Sequence, residues 1–305
     1  MRLRVESESE KRFGYQRDWR WHGWRIHYTF YPPLQANNPF VSPPILLLHG
    51  FGVSLRHWRH NIPILRQRHF VYALDLLGFG ASEKTYTEYG IPLWSRLVFD
   101  FWQEFISQPC ILIGNSLGSL IALNTTASYP DTVKGLVMLS LPDLRGKRDD
   151  NNPILTPLLH KIEELFTFPL LIRLIFQIAK QKTVISNGLK IAYVNQNNLD
   201  EELIEIVTKP TEDVGAARAL IAMTKSINKF PVSVRQLLES INIPILLLWG
   251  KGDKLIPPTK ASHLAAINTN IELHLLDKIG HCIHDENPDL FHKILFSWLK
   301  RNNLT

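Results

Sequence analysis

Short apolar runs recur along this chain, and a segment with helical spacing follows several of them. "PPILLLHG" (Pro43 to Gly50) is one such run. Similar runs sit in "HFVYALDLLGFGAS", in "CILIG" (Cys110 to Gly114) and in "VKGLVMLSLP" (Val133 to Pro142). "PILLLWG" (Pro244 to Gly250) and "IELHLLDKIG" (Ile271 to Gly280) complete the set. Runs this short, bounded by Gly and Pro, suit strands buried on both faces. Upstream, "RDWRWHGWRIHYTFY" alternates polar and aromatic residues around His22-Gly23, which predicts an antiparallel hairpin. Leu93, Leu97, Val98, Phe101, Phe105 and Ile106 keep the spacing of a helix, and Ser116 to Ser128 reads as another. "NPDLFHKILFSWLKR" closes the pattern as a helix with Asn287 as N-cap and Pro288 at its first position. Strands alternating with helices predict an α/β architecture, a mostly parallel sheet with helices on both faces.

The alternation breaks between Asp143 and about Phe230. That interval holds no convincing strand and reads as several helices, including "PLLHKIEELF" and "PLLIRLIFQIAK". An all-helical insertion between two sheet strands is expected to form a cap. The expected organisation is therefore core 1–142, helical cap 143–230 and core 231–305. The polar tracts "DDNN" (149–152) and "NQNN" (195–198) read as loops.

The chemistry starts at "GNSLG". Ser116 stands between Gly114 and Gly118 where a strand hands over to a helix. Glycines two residues to either side are what a sharp, strained turn needs, and such a turn lifts a serine hydroxyl clear of the sheet. A serine hydroxyl needs a base to take its proton, and the base needs an acid to orient it. Asp253 in "WGKGDKLIP" and His281 in "IGHCIHDENP" each follow a predicted strand, in the chain order Ser, Asp, His. Two amides would hold the developing oxyanion: that of Leu117, at the start of a helix, and that of Phe51 in "HGFG". Asp143 in "LPDLRG" is the rival for the acid, with Asp253 favoured because "GKGD" supplies the turn that aims it.

The remaining polar residues are weighed against plainer roles. His284 lies three positions beyond His281, but no third ligand with zinc-like spacing follows, so no metal is expected. "RHWRHN" reads as the opening of a helix, which leaves His57, His60 and His69 without chemistry. His49 is expected to fix the "HGFG" loop, Asp75 and Ser82 to form a turn, and Cys282 to pack as a small apolar side chain.

Taken together, "LLLHGFG", "ALDLLGFGASEK", "GNSLGS", "WGKGDKLIP" and "GHCIHDENP" resemble the α/β-hydrolase superfamily, over about residues 43–300 apart from the cap. The resemblance implies an eight-stranded sheet and a cofactor-free hydrolase. Within it, "HGFG…HWRHN", "LLGFGASEK" and "GHCIHDE" are most similar to the dephytylase and pheophytinase group, esterases of cyanobacteria and chloroplasts that cleave phytol from chlorophyll pigments. Serine at the elbow disfavours dehalogenase and epoxide-hydrolase chemistry, which needs a carboxylate there.

Composition narrows the partners. The 305 residues carry a formal net charge of +6, but the basic residues are scattered and no nucleic-acid module accompanies them, so nucleic acid is excluded. Two cysteines give no disulfide framework, and the charged start "MRLRVESESEKRF" is unlike a signal peptide. No uncharged apolar run spans a bilayer. These features predict a cytoplasmic protein. "FTFPLLIRLIFQIAKQK" leaves two readings open: a cap helix buried on the core, or one that lines a lipophilic-ester pocket or touches a membrane surface peripherally. An acyltransferase, a cofactor-free haloperoxidase and a ligand-binding receptor on the same scaffold are the alternatives to an esterase.

Overall fold

Where an apolar run is one strand long, alternate side chains leave the sheet on opposite faces, and both faces must then be covered. That is how the central strands of this protein pack, while the two edge strands are only partly covered. The computed structural model describes residues 7–33, 42–143, 176–226, 229 and 233–305. The strands are β1 (Tyr15–Trp21), β2 (Trp24–Tyr31), β3 (Ser42–Leu48), β4 (His69–Leu74), β5 (Cys110–Asn115), β6 (Val133–Leu139), β7 (Ile245–Gly250) and β8 (Ile271–Leu276). They form one sheet in the order β1-β2-β4-β3-β5-β6-β7-β8. β1, β2 and β4 pair antiparallel, and every pair from β4 to β8 is parallel. The predicted hairpin turns at His22 and Gly23, both at positive φ (47° and 86°), as a tight two-residue turn between twisted strands requires.

The helices used below are α1 (Ile91–Phe101), α2 (Leu117–Ser128), α3 (Lys182–Ala192), α4 (Glu201–Thr208), α5 (Ala216–Ser226) and α6 (Pro288–Arg301). On one face of the sheet Leu46, Leu48, Leu112, Leu136, Met138 and Leu247 pack with Trp94 and Leu97 of α1 and Leu120 of α2. On the other, Ile45, Leu47, Ile113, Val137 and Leu246 pack with Phe291, Leu295 and Trp298 of α6. The helix expected over Leu93 to Ile106 is α1 plus a wider π-turn at Trp102–Ile106, closed by Ser107 in the left-handed region. α6 begins as predicted, with the Asn287 side chain accepting from the Leu290 amide at 3.1 Å and Pro288 in the first turn.

Between β6 and β7 the described residues form helices (α3, α4, α5, the two-turn helix Val234–Ser240 and short 3₁₀ turns) and hold no strand. "PLLHKIEELF", "DDNN" and all but the end of "PLLIRLIFQIAK" lie outside the described residues. "NQNN" includes a 3₁₀ turn, Gln196–Asn198. "RHWRHN" leads into a helix as expected, by way of a 3₁₀ turn, Leu55–Trp58, and that helix is a single turn, Ile62–Leu65. Because β3 and β5 to β8 run parallel, their carboxyl ends share one edge of the sheet, where open α/β sheets build their sites.

Candidate active site

Ser116 leaves β5 with φ 53° and ψ −117°, a conformation that a non-glycine residue holds only under constraint. The constraint is visible in its neighbours. A Cβ on Gly114 would lie 2.2 Å from the Gly118 carbonyl oxygen, and one on Gly118 would lie 2.3 Å from that of Leu48. Both glycines are therefore demanded by backbone crossing backbone. The turn leaves Ser116 partly accessible while the residues on either side of it are buried.

Asp253 and His281, on the loops after β7 and β8, meet. The imidazole Nδ1 lies 2.8 Å from Asp253 Oδ2, and both residues are buried. The other carboxylate oxygen, Oδ1, accepts from the Leu255 and Ile256 amides, each at 2.9 Å. The acid is thus held by its own loop and aimed by it. Asp143 is placed elsewhere, 3.9 Å from the Lys260 ammonium. The backbone of His281 is anchored as well: its N–H donates to Ala192 at 2.7 Å, and its carbonyl accepts from Asn115 Nδ2 and Ser140 Oγ, each at 3.2 Å. Asn115 immediately precedes Ser116, so one amide side chain ties the loop of the imidazole to the strand of the hydroxyl. Ser116 Oγ forms no hydrogen bond with the imidazole among the described residues; such pairs are often long until substrate binds.

The "HGFG" loop lies against the serine. A Cβ on Gly50 would stand 3.5 Å from Ser116 Cβ and 3.0 Å from Asn115 Oδ1. Neither the Phe51 nor the Leu117 amide donates to a described group. The loop is held by His49, which is fully buried: Leu76 N–H donates to its Nε2, so the proton sits on Nδ1 and is donated to the Gly50 carbonyl at 2.7 Å. Burial pushes the His49 pKa down, which keeps that neutral tautomer. Asp75 is a turn former, accepting from the Leu55 and Ala81 amides at 2.6 and 2.7 Å, while Ser82 Oγ donates to its carbonyl.

The residues that sequence reasoning passed over form a buried polar cluster behind His281. Arg59, 1% exposed, donates to Asp285 at 2.9 Å and also pairs with Asp200 and Glu202 at the start of α4. The Tyr193 hydroxyl bridges Asp285 Oδ2 (2.9 Å) and His57 Nε2 (2.8 Å). Glu286 accepts from the amides of Val194, Asn195 and Gly280 at 2.7 to 2.8 Å. Burial raises the Glu286 pKa, and the three amides pull it back. His284 packs against Trp58 and His57, with ring centroids 4.1 and 4.6 Å away, and Cys282 is a buried free thiol. No cluster suited to a metal ion occurs among the described residues. The only signal for this arrangement in the sequence is the polarity of "HCIHDE", which does not reveal its partners.

A cavity of about 200 Å³ opens beside the "HGFG" loop. Its wall is almost wholly apolar, with Phe51, Val53, Phe79, Ile185, Leu220 and Met223 contributing from the sheet loops, α3 and α5. It reaches the site through Phe51 and not through Ser116 or His281. Lys84 borders it with its charge already committed, at 2.8 Å from Asp213 and 3.0 Å from the Ser82 carbonyl.

Comparison with known proteins gives the family and the fold. Residues 45–294 match a family described as "Alpha/beta hydrolase family". An uncharacterized hydrolase of Bacillus subtilis, YugF, is 27% identical over 84% of this chain and 89% of its own length. The chloroplastic pheophytinase of Arabidopsis thaliana is 26% identical over 85% of this chain, which spans 61% of that protein. Among solved structures, a serine hydrolase involved in carbazole degradation (the CarC enzyme) superposes with a TM-score of 0.75 at 20% identity, covering 94% of this chain and 98% of that one.

Proposed function

Because the chain belongs to the alpha/beta hydrolase family, we propose that it is a serine hydrolase cleaving carboxylic esters of lipophilic substrates, with the phytyl esters of chlorophyll-type pigments as the first candidates. Ser116 Oγ attacks the ester carbonyl while His281 Nε2 takes its proton. Nδ1–H remains hydrogen-bonded to Asp253, which fixes the tautomer and stabilises the imidazolium. The carbonyl oxygen gathers negative charge and is held by the Phe51 and Leu117 amides, the second at the positive end of α2. His281 then protonates the departing alcohol, leaving the acyl group on Ser116. A water molecule, deprotonated by the same imidazole, hydrolyses that ester and restores the serine. No cofactor enters these steps.

One observation carries the reading: the His281–Asp253 hydrogen bond, with the far carboxylate oxygen held by two amides, assembled beside a serine on a strained turn. The lipophilic part rests on the apolar cavity, whose volume suits a hydrocarbon chain better than a macrocycle, and on the similarity to pheophytinase. The test is hydrolysis of p-nitrophenyl esters of increasing acyl length beside chlorophyll a and pheophytin a. Ser116→Ala should lower turnover by about a million-fold. Phytol release that the variant loses would support the whole proposal. Short-ester cleavage alone would keep the mechanism and discard the pigment, and a Ser116→Ala variant with most of its activity would refute both.

A further inference from the structure

α3 presents two apolar faces, and only one of them has a partner among the described residues. Ile185 lines the cavity, while Leu189 and Ala192 pack with Tyr193, Leu203 and Cys282. Val184, Gly188 and Ile191, spaced by four and three residues, share a different face, and Val184 and Ile191 are 40% and 49% exposed. Val194 (42%) continues this surface past the end of the helix. Its Cγ2 lies 2.4 Å from where a Cβ on Gly252 would be, so it abuts the loop after β7, from which Leu255 projects, 51% exposed. Exposed apolar residues collected in this way mark a contact surface.

The charges around the patch identify the partner. Between Phe176 and Leu199 the chain has no Asp or Glu, but it has Lys180, Lys182 and Lys190. Lys182 and Lys190 lie near the two ends of α3, and neither is ion-paired with a described residue; Lys190 reaches only the neutral Asn187. Lys254 adds an exposed cation beside Leu255, whereas Lys251 is already neutralised by Asp277 at 2.9 Å. Of the acids that follow, Asp200 and Glu202 are turned to Arg59 and Arg12, while Glu201 is exposed at the start of α4. We propose that this face of α3, with Val194 and Leu255, docks on an anionic lipid bilayer. The apolar side chains enter the headgroup boundary and the lysines lie at its charged level. No helix among the described residues is long and apolar enough to cross a membrane, so the contact is with one leaflet surface. α3 ends at Ala192, whose carbonyl receives the His281 amide. Docking therefore brings the candidate site to the lipid, where esters with long chains are dissolved.

Sedimentation of the full chain with two sets of vesicles tests this, one of pure phosphatidylcholine and one of equal parts phosphatidylcholine and phosphatidylserine. The protein is expected to pellet with the second set and to be released by salt. Lys182→Gln with Lys190→Gln should weaken partitioning roughly 25-fold, at roughly five-fold for each charge. Val184→Ser with Ile191→Ser should weaken it roughly ten-fold or more. Both double variants change exposed side chains and should keep the wild-type melting temperature. Three results would overturn the proposal: no binding to either vesicle, binding that neither variant weakens, or a dimer in light scattering that Val184→Ser with Ile191→Ser abolishes, which would assign the face to a second copy.

Discussion

Replacing Gly118 by alanine tests whether the geometry around Ser116 sets the rate. The added methyl group would lie 2.3 Å from the Leu48 carbonyl oxygen and 2.6 Å from that of His49. Ordinary contact begins at 3.4 Å, so α2 and the end of β3 must separate by about 1 Å. Both clashing atoms are backbone, and no side-chain rotation relieves them. Leu48 and His49 lead into the Phe51 loop, and Gly118 follows Leu117, so the separation opens between the two amides proposed to hold the oxyanion. A misplacement of that size costs about 100-fold in rate, and overpacking costs roughly 1–3 kcal/mol in stability. Gly118→Ala should therefore show kcat on a short p-nitrophenyl ester lowered about 100-fold with KM little changed, and a melting temperature lower by several degrees. Gly135→Ala is the control. Its methyl group meets only the side-chain tips of Leu304 and Trp298, so it should lower the melting temperature and leave kcat intact. A Gly118→Ala enzyme with wild-type kcat would refute the argument that this crossing positions the site.

Gly188 sits inside α3 with nothing within 4 Å of an added Cβ, so Gly188→Ala should stabilise the protein by about 0.5–1 kcal/mol, read by urea unfolding. Arg59→Met should cost about 3–5 kcal/mol, because Asp285 would remain buried without its cation, and thermal unfolding would report it. His57 is buried neutral, with its pKa pushed down to about 4 by burial. A histidine whose folded pKa lies below its unfolded value takes up a proton on unfolding, so its contribution is complete above about pH 6.5 and is lost as pH falls towards 4. Urea unfolding at about pH 5 should accordingly show roughly 2 kcal/mol less stability from this residue than at neutral pH, and a flat profile across that window would contradict the assignment.

Local signals made the sheet and the candidate site readable. The apolar runs became strands because their length matches one crossing of the sheet, and alternate residues such as Ile45 and Leu46 proved to serve opposite cores. Gly114 and Gly118 were legible because a backbone crossing leaves no room for a side chain, and no other residue type meets that need. Asp253 could be preferred to Asp143 because its turn is encoded within a few residues: the two amides that hold Oδ1 belong to Leu255 and Ile256. α1 was read correctly as a helix, but its π-turned end was not, since hydrophobic period does not distinguish a wide last turn from an ordinary one.

The partners of the "HCIHDE" segment were illegible for the opposite reason. Arg59 and Asp285 lie 226 positions apart and Tyr193 lies between them in sequence, so no local pattern couples the three. Buried charges break the rule that makes hydrophobic patterning informative: a chain with Arg, Asp and Glu at these positions looks solvated until its partners are found. The cost of burying them is offset only when every member is paired, which ties the segment entering α4 to the loop of His281. Glu286 strengthens the coupling, since its carboxylate holds the Gly280 amide on one side and the Val194 and Asn195 amides on the other. The imidazole is thus positioned by Asp253 through its ring, and through its backbone by Asn115 and Ser140 on the carbonyl and by residues 192–195 on the amide side. Any displacement of α3 acts on the last of these. The segment proposed to meet the bilayer is the one that carries the backbone acceptor of His281, so a shift of α3 on docking would bear directly on the placement of the proposed base.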